Sequence, residues 1–302
     1  MSRAVALLLL AIANIIWGSS HAVGKVATEL FDPLLLAGLR VVVATVIFWG
    51  LRIGGIAPAE QLPNMQRFQL AALGLIAVAA AQMLDYSGLA LTTATDSSLM
   101  IIGEVIFTAV LAVIIAKEHL GWQRSIGLAI GIVGVVILTL GGAPNSEYAP
   151  NRALGNTLVL AALFCESLFT VIGASLAQRY HPMTVMRWTY TGSLVIWLPL
   201  ILYTVVSGTF PSVGWDAWLA VAYVAIFTSV VSYLLWFWVL RSAGSSLGAI
   251  SLFIQPVVGS LIGLLILQEG TSPGLYVGAV LIFVALGLAT IQRSPSTQGA
   301  TT

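Results

Sequence analysis

Residues 122–141, WQRSIGLAIGIVGVVILTLG, and residues 154–177, LGNTLVLAALFCESLFTVIGASLA, are two apolar runs on either side of the polar stretch Gly141 to Arg152, GGAPNSEYAPNR. Each run supplies the roughly 20 mostly apolar residues that a helix needs to cross a bilayer. The stretch between them is built of turn formers and divides the chain near its middle. Working outward, the same pattern places further spans near 4–24, 33–52, 68–90, 97–116, 183–206, 215–240, 246–267 and 272–291. The expected fold is therefore an all-α integral membrane protein of about ten transmembrane helices. Its parts are a first five-helix repeat over 1–142, a connector over 143–152, a second five-helix repeat over 153–292 and a polar tail over 293–302.

Composition agrees with a lipid solvent. Of 302 residues 59% are hydrophobic and 8% charged, where soluble domains are nearer a quarter charged. A net charge of +1 offers nothing to nucleic acid. Cys165 is the single cysteine, so no intramolecular disulfide can form. Arg3, the apolar run from Ala4 to Ile16 and Ser20-His21-Ala22 imitate a signal peptide. The span runs on past that point and further spans follow, so it reads as a retained helix.

With the N-terminus inside, Arg3, Arg52, Arg67, Lys117, Arg124, Arg179, Arg241 and Arg293 fall on the cytoplasmic side, and Lys25 and Arg152 outside. That bias predicts a cell inner-membrane protein with both termini cytoplasmic. The halves resemble each other weakly. Adding 151 maps Glu104 onto Gln255, Glu118 onto Glu269, Gly127 onto Gly278 and Tyr86 onto Phe237, and adding 149 maps Gly24 onto Gly173 and Pro33 onto Pro182. An odd number of spans per repeat inserts the second copy upside down. Inverted repeats of that kind place a transport site near the midplane where the halves meet.

Ionisable and strongly polar groups at membrane depth are retained where they face protein or a watery cavity. Asn14, Trp17, Glu104, Glu166, Tyr233, Trp236, Gln255 and Pro256 fall near mid-span, and Tyr86 joins them through the repeat. These are the expected lining of a central cavity, and interhelical packing is the competing role. Pro256 frees a carbonyl one turn earlier and permits a bend. His21, Arg40, Asp85, Asp96 and Arg187 are candidates for coupling or gating. Arg40 has Asp85 and Asp96 as prospective partners in the outer half, and structural pairing is the competing role. Trp49, Trp122, Trp188, Trp215 and Trp218 sit near span ends as an interfacial belt does, while Trp17, Trp236 and Trp238 do not. Gly127-x-x-x-Gly131, Gly259-x-x-x-Gly263 and Gly274-x-x-x-Gly278 allow close helix approach, within the fold or at a dimer face.

The order Asn14-Ile15-Ile16-Trp17-Gly18-Ser19-Ser20, Lys25, Pro33, Arg40, then Gln255-Pro256, Leu267-Gln268-Glu269 and Gly278-Ala279-Val280-Leu281-Ile282 resembles the drug/metabolite transporter superfamily, EamA type. Among its members the chain is most similar to the YddG-like exporters of aromatic amino acids. The resemblance implies a ten-helix fold, a central cavity and export of small metabolites. Two departures bear on substrate charge and coupling: Glu104-Val105 stands where the second half has Gln255-Pro256, and Glu166 stands opposite Trp17.

No G-x-x-x-x-G-K-[ST] loop or H-E-x-x-H helix occurs, so no ATP-hydrolysing or zinc-protease chemistry is expected, and no cofactor or metal. The function expected is a transporter, not an enzyme, exporting amino acids including aromatic ones by alternating access. Broader drug or toxic-metabolite export is the runner-up, ahead of an intramembrane enzyme or a scaffold. The partners expected are a small-molecule substrate and membrane lipid, with the chain a monomer or homodimer. A dry carboxyl prefers its neutral form. Glu104 and Glu166 would then exchange a proton for a cationic or zwitterionic metabolite, or simply bind its amino group in a facilitator.

Overall fold

A computed structural model describes residues 2–58, 60–115, 117, 121–141, 146, 149–243 and 251–290. Glu118, half of the 143–152 connector, Gly244-Ser245-Ser246 and the 293–302 tail lie outside them. Apart from an isolated bridge between Ser146 and Ala149, the regular elements described are helices. They are α1 Arg3–Leu30, α2 Pro33–Ile53, α3 Asn64–Gly74, α4 Ala81–Leu91, α5 Ala94–Leu99, α6 Ile102–Ile115, α7 Trp122–Leu140, α8 Arg152–Arg179, α9 Pro182–Val206, α10 Trp215–Ala222, α11 Ser232–Ala243, α12 Ile254–Leu265 and α13 Pro273–Thr290. π-helical segments at Leu75–Ala80 and Tyr223–Val231 join α3 to α4 and α10 to α11.

Among the described residues seven helices are long and apolar enough to cross a membrane, and three shorter apolar ones cover Ser125–Leu140, Ile254–Leu265 and Pro273–Leu288. Caps and prolines set their ends. Asp32 accepts the N–H groups of Leu34 and Leu35 while Pro33 opens α2, and His181 with Pro182 opens α9 in the same way. Connections gather at two ends of the bundle. Lys25 Nζ donates to the Leu89 and Ala90 carbonyls, Asn151 N to Leu91 O, and Ser272 Oγ to Gly141 O at one end. At the other, His181 N donates to Glu60 Oε2 at 2.8 Å.

The interior has two main apolar clusters. One is built from α2, α9 and the π-containing helices around Trp197 and Phe48, and the other from α5 to α8, α12 and α13 around Met100 and Ile282. Val46, Leu202 and Val280 stay more than half exposed, which in a bundle of this composition marks lipid-facing surface. Glycines permit backbone contact between helices. A Cβ on Gly192 would strike the backbone of Ala71, one on Gly74 the Thr189 carbonyl, and one on Gly274 the backbone of Gly141. Gly259, Gly263, Gly274 and Gly278 all face neighbouring helices of the same chain, so their spacing serves packing within the fold.

Several expectations change. The spans near 68–90 and 215–240 contain π segments, and the span near 97–116 breaks at Met100–Ile101, where Gly103 N reaches Met100 O. No proline or glycine sits in Leu75–Ala80 to announce the first of these. Pro256 is the third residue of α12, where its missing N–H removes no helical bond, so it does not kink a helix interior. Lys25 and Arg152, expected in outer loops, are buried inside the bundle at 4% exposure each. The irregularities recur at one offset: turns at Ile101 and Leu252, positive φ at Lys117 (55°) and Gln268 (53°), and π segments ending at Ala80 and Val231, all 151 residues apart.

Candidate functional site

The π segment before α11 makes the first contact of the site. Ser232 N bonds Phe227 O, five residues back, so the Thr228 carbonyl loses its helical donor. Trp17 Nε1 takes that carbonyl at 3.1 Å, which fixes the indole of α1 against α11. Tyr233 and Trp236 meet the indole edge-on, with centroids 5.2 and 5.5 Å away. The three rings are half-buried and form one aromatic wall.

Asn14 lies one turn before Trp17 and is wholly buried. Its Nδ2 donates to Leu10 O at 2.7 Å and Ser251 Oγ at 2.9 Å, and its Oδ1 accepts from Gln255 Nε2 at 2.7 Å. A Cβ on Gly18 would come within 2.6 Å of the Gln255 carbonyl, so α1 and α12 touch backbone to backbone. The Gln255-to-Asn14 bond is thus part of a seam between elements 241 residues apart.

The charged part of the site lies across α2, α4, α6 and α8. Arg40 Nε donates to Ser229 Oγ at 2.8 Å, and Nη1 to Gln82 Oε1 at 2.8 Å and Tyr86 OH at 3.2 Å. Glu104 and Glu166 are half-buried on the packed helices α6 and α8, where Ser167 Oγ bonds the Glu104 carbonyl at 3.1 Å. Glu166 lies within electrostatic range of Glu104, Asp85 and Arg40, and Tyr233 within range of Tyr190, Glu166, Glu104 and Arg40. The aromatic wall and the charged cluster therefore adjoin through Tyr233. Such an arrangement can hold a cationic group on carboxylates, an anionic group on a guanidinium and a flat group against rings.

The other candidates lie elsewhere. Asp96 does not meet Arg40; it forms a bidentate pair with Arg152, with Nη2 2.8 Å from both carboxylate oxygens and Nε 3.1 Å from Oδ2. Both members are buried, and Asn156 adds a bond at 3.3 Å. Asp85 is in electrostatic range of Arg40, but the guanidinium's hydrogen bonds go to Gln82, Tyr86 and Ser229. His21 Nδ1 sits 2.8 Å from Ser97 Oγ. Arg187 is at the opposite end of the bundle, its guanidinium 5.0 Å from the Trp49 ring centre. Among the described residues no three His, Cys, Asp or Glu side chains gather as a metal site.

Sequence reasoning missed Gln82, Tyr190 and Ser229. Gln82 had a signal, since Gln82, Asp85 and Tyr86 share one face at i, i+3 and i+4. Ser229 and Tyr190 look like background in apolar runs. It also missed Glu269 as a clamp: its carboxylate accepts Ala94 N at 2.6 Å, Thr95 N at 2.8 Å and Thr95 Oγ1 at 2.6 Å, holding the start of α5.

The model of the EamA-like transporter family matches residues 4–140 and again 153–291. The uncharacterized transporter YetK of Bacillus subtilis is 25% identical over 260 residues, 86% of this chain and 79% of that protein. An uncharacterized transporter of Archaeoglobus fulgidus is 24% identical over 289 residues, 95% of this chain and 99% of its own. An S-adenosylmethionine/S-adenosylhomocysteine transporter of Chlamydia trachomatis serovar D is 26% identical over 302 residues, 98% of this chain and 91% of that protein. One chain of known crystal structure shares the fold with a TM-score of 0.63 at 19% identity, covering 95% of this chain and 97% of its own.

Proposed function

The chain belongs to the EamA-like transporter family, and from that premise we propose a ten-helix carrier of the cell inner membrane that exports amino acids, aromatic ones included, by alternating access. Both termini are cytoplasmic in this reading, and the two five-helix halves are inverted copies around a central cavity. The common 151-residue offset of breaks, π segments and positive-φ residues supports the repeat, because such irregularities seldom coincide by chance. The excess of arginine at one end supports the orientation.

The observation that carries the substrate reading is the junction at Tyr233 between the ring wall and the charged cluster. An amino acid matches it part by part: ammonium toward Glu104 and Glu166, carboxylate toward Arg40, side chain against Trp17 and Trp236. S-Adenosylmethionine, named for the chlamydial relatives, is itself an amino acid joined to a flat purine, so the same division of labour suits it.

Counterflow in proteoliposomes tests the proposal. Vesicles loaded with unlabelled phenylalanine should take up labelled phenylalanine faster than vesicles loaded with phenylacetate, which lacks the ammonium group. Equal uptake with either load, or none above protein-free vesicles across the amino acids, rules out this substrate class.

A further inference from the structure

At the end of the bundle that carries Glu60 and His181, two guanidiniums lie on two tryptophans. Arg187 Cζ is 5.0 Å from the Trp49 ring centre and Arg67 Cζ is 5.3 Å from that of Trp188. The two indoles meet edge to face with centroids 5.7 Å apart, so the four side chains form one unit across α2, α3 and α9. Its geometry is held from behind: Trp49 Nε1 donates to Thr191 Oγ1 at 2.9 Å, and Thr191 Oγ1 donates in turn to the Arg187 carbonyl at 2.7 Å.

Stacking covers the flat faces of a guanidinium and leaves its N–H groups pointing out along the edge. Arg187 is 3% exposed, yet among the described residues its Nε and Nη1 have no hydrogen-bond partner, and neither has the buried Nε of Arg67. Buried donors without partners are rare and destabilising, most of all on a charged group. Nearby charge does not answer the need. Arg52 lies within electrostatic range of Arg187 and adds to the positive charge. Glu60 is in range as well, but its Oε2 already takes the His181 N–H. Arg187 thus has a second guanidinium and a single carboxylate in range, one oxygen of which is already engaged.

We propose that Arg187, Arg67 and Arg52 form a binding site for a phosphate oxyanion, separate from the transport site. Guanidinium edges match phosphate oxygens in pairs. Basic pockets between membrane helices suit acidic lipid headgroups, and free phosphate presents the same chemistry. The indoles at this depth then serve two purposes, anchoring the bundle at the interface and orienting the donors.

Thermal unfolding of the purified full-length chain in a neutral detergent tests this. One arm compares phosphatidylglycerol with phosphatidylcholine, whose phosphate is neutralised by its own choline. The other compares inorganic phosphate with chloride at matched ionic strength. Phosphatidylglycerol, or phosphate, should raise the unfolding midpoint of the native chain. The half-saturating concentration should rise about tenfold in Arg187→Gln and in Arg67→Gln. Arg179→Gln removes an exposed arginine at the same end and should leave that concentration unchanged. A response to the lipid alone assigns a headgroup, and a response to phosphate as well assigns the bare oxyanion. Arg67 is half-buried, so its variant keeps the test open if Arg187→Gln does not fold. No response of the native chain in either arm overturns the proposal, as does an equal loss in Arg179→Gln.

Discussion

Replacing Arg152 by methionine keeps much of the side chain's volume but strips Asp96 of three hydrogen bonds of 2.8 to 3.1 Å. Asp96 has no exposed surface, and what remains to it is Asn156 Nδ2 at 3.3 Å and Thr92 Oγ1 at 3.5 Å. Breaking a buried pair from one side typically destabilises by about 3–5 kcal/mol, because the survivor keeps an uncompensated charge. Removing both charges does not leave that remnant. In Asp96→Asn with Arg152→Met, the asparagine still bonds Asn156 and Thr92, so the double variant should lie closer to the native chain than either single one. The coupling energy of the cycle should reach roughly 2–3 kcal/mol, the upper range for residues in direct contact. Reversible unfolding in mixed micelles across the four proteins measures it. If the single effects add to within about 0.5 kcal/mol, the pair does not carry the energy assigned to it, and its burial between α5 and α8 needs another explanation.

Other expectations concern the site and the packing. Trp17→Ala should raise the half-saturating concentration for an aromatic substrate by about 5- to 150-fold, the equivalent of one lost stacking partner, and leave an aliphatic one nearly unchanged. Trp17→Phe, which keeps a ring but drops the bond to Thr228 O, should recover most of it; counterflow with labelled phenylalanine and alanine reads both. With glutamine at both 104 and 166, any transport driven by an imposed pH gradient should disappear while substrate exchange survives; a native protein that ignores the gradient is a facilitator. Gly192→Ala should lower stability by about 1–3 kcal/mol through overpacking, since its Cβ would enter the Ala71 backbone, and unchanged unfolding in detergent would contradict the tight α3–α9 contact.

The grouping of the candidate aromatic residues was legible because depth along a helix is a local property. Counting 1.5 Å per residue from the span ends placed Trp17, Glu104, Glu166, Tyr233 and Trp236 at one level, and the folded chain brings Trp17, Tyr233 and Trp236 into contact. The partner of a charge was not legible in that way. Arg40 had two acids at suitable depth, yet its rotation on α2 turns it toward Gln82, Tyr86 and Ser229. Asp96, on α5, meets Arg152 at the first turn of α8, a residue that hydropathy assigned to a loop. Arg187 lies in the second turn of α9, and its stacking on Trp49 depended on which helix lay beside α9.

The sequence by itself determined the solvent of this protein and where its chain turns. Apolar runs, caps and prolines act over a few residues, so their meaning survives without any neighbour. The family pattern recurs in the sequence twice, over 4–140 and 153–291. Only the tertiary structure decided which polar groups meet: Asn14 with Gln255 across 241 residues, Arg40 with Ser229 across 189, Glu269 with Thr95 across 174. Those pairings follow from the rotation of each helix about its axis and from the π segments and breaks that re-aim side chains. Both are set by the packing of many residues at once against a low-dielectric surround, where an unmet polar group is expensive enough to select one arrangement.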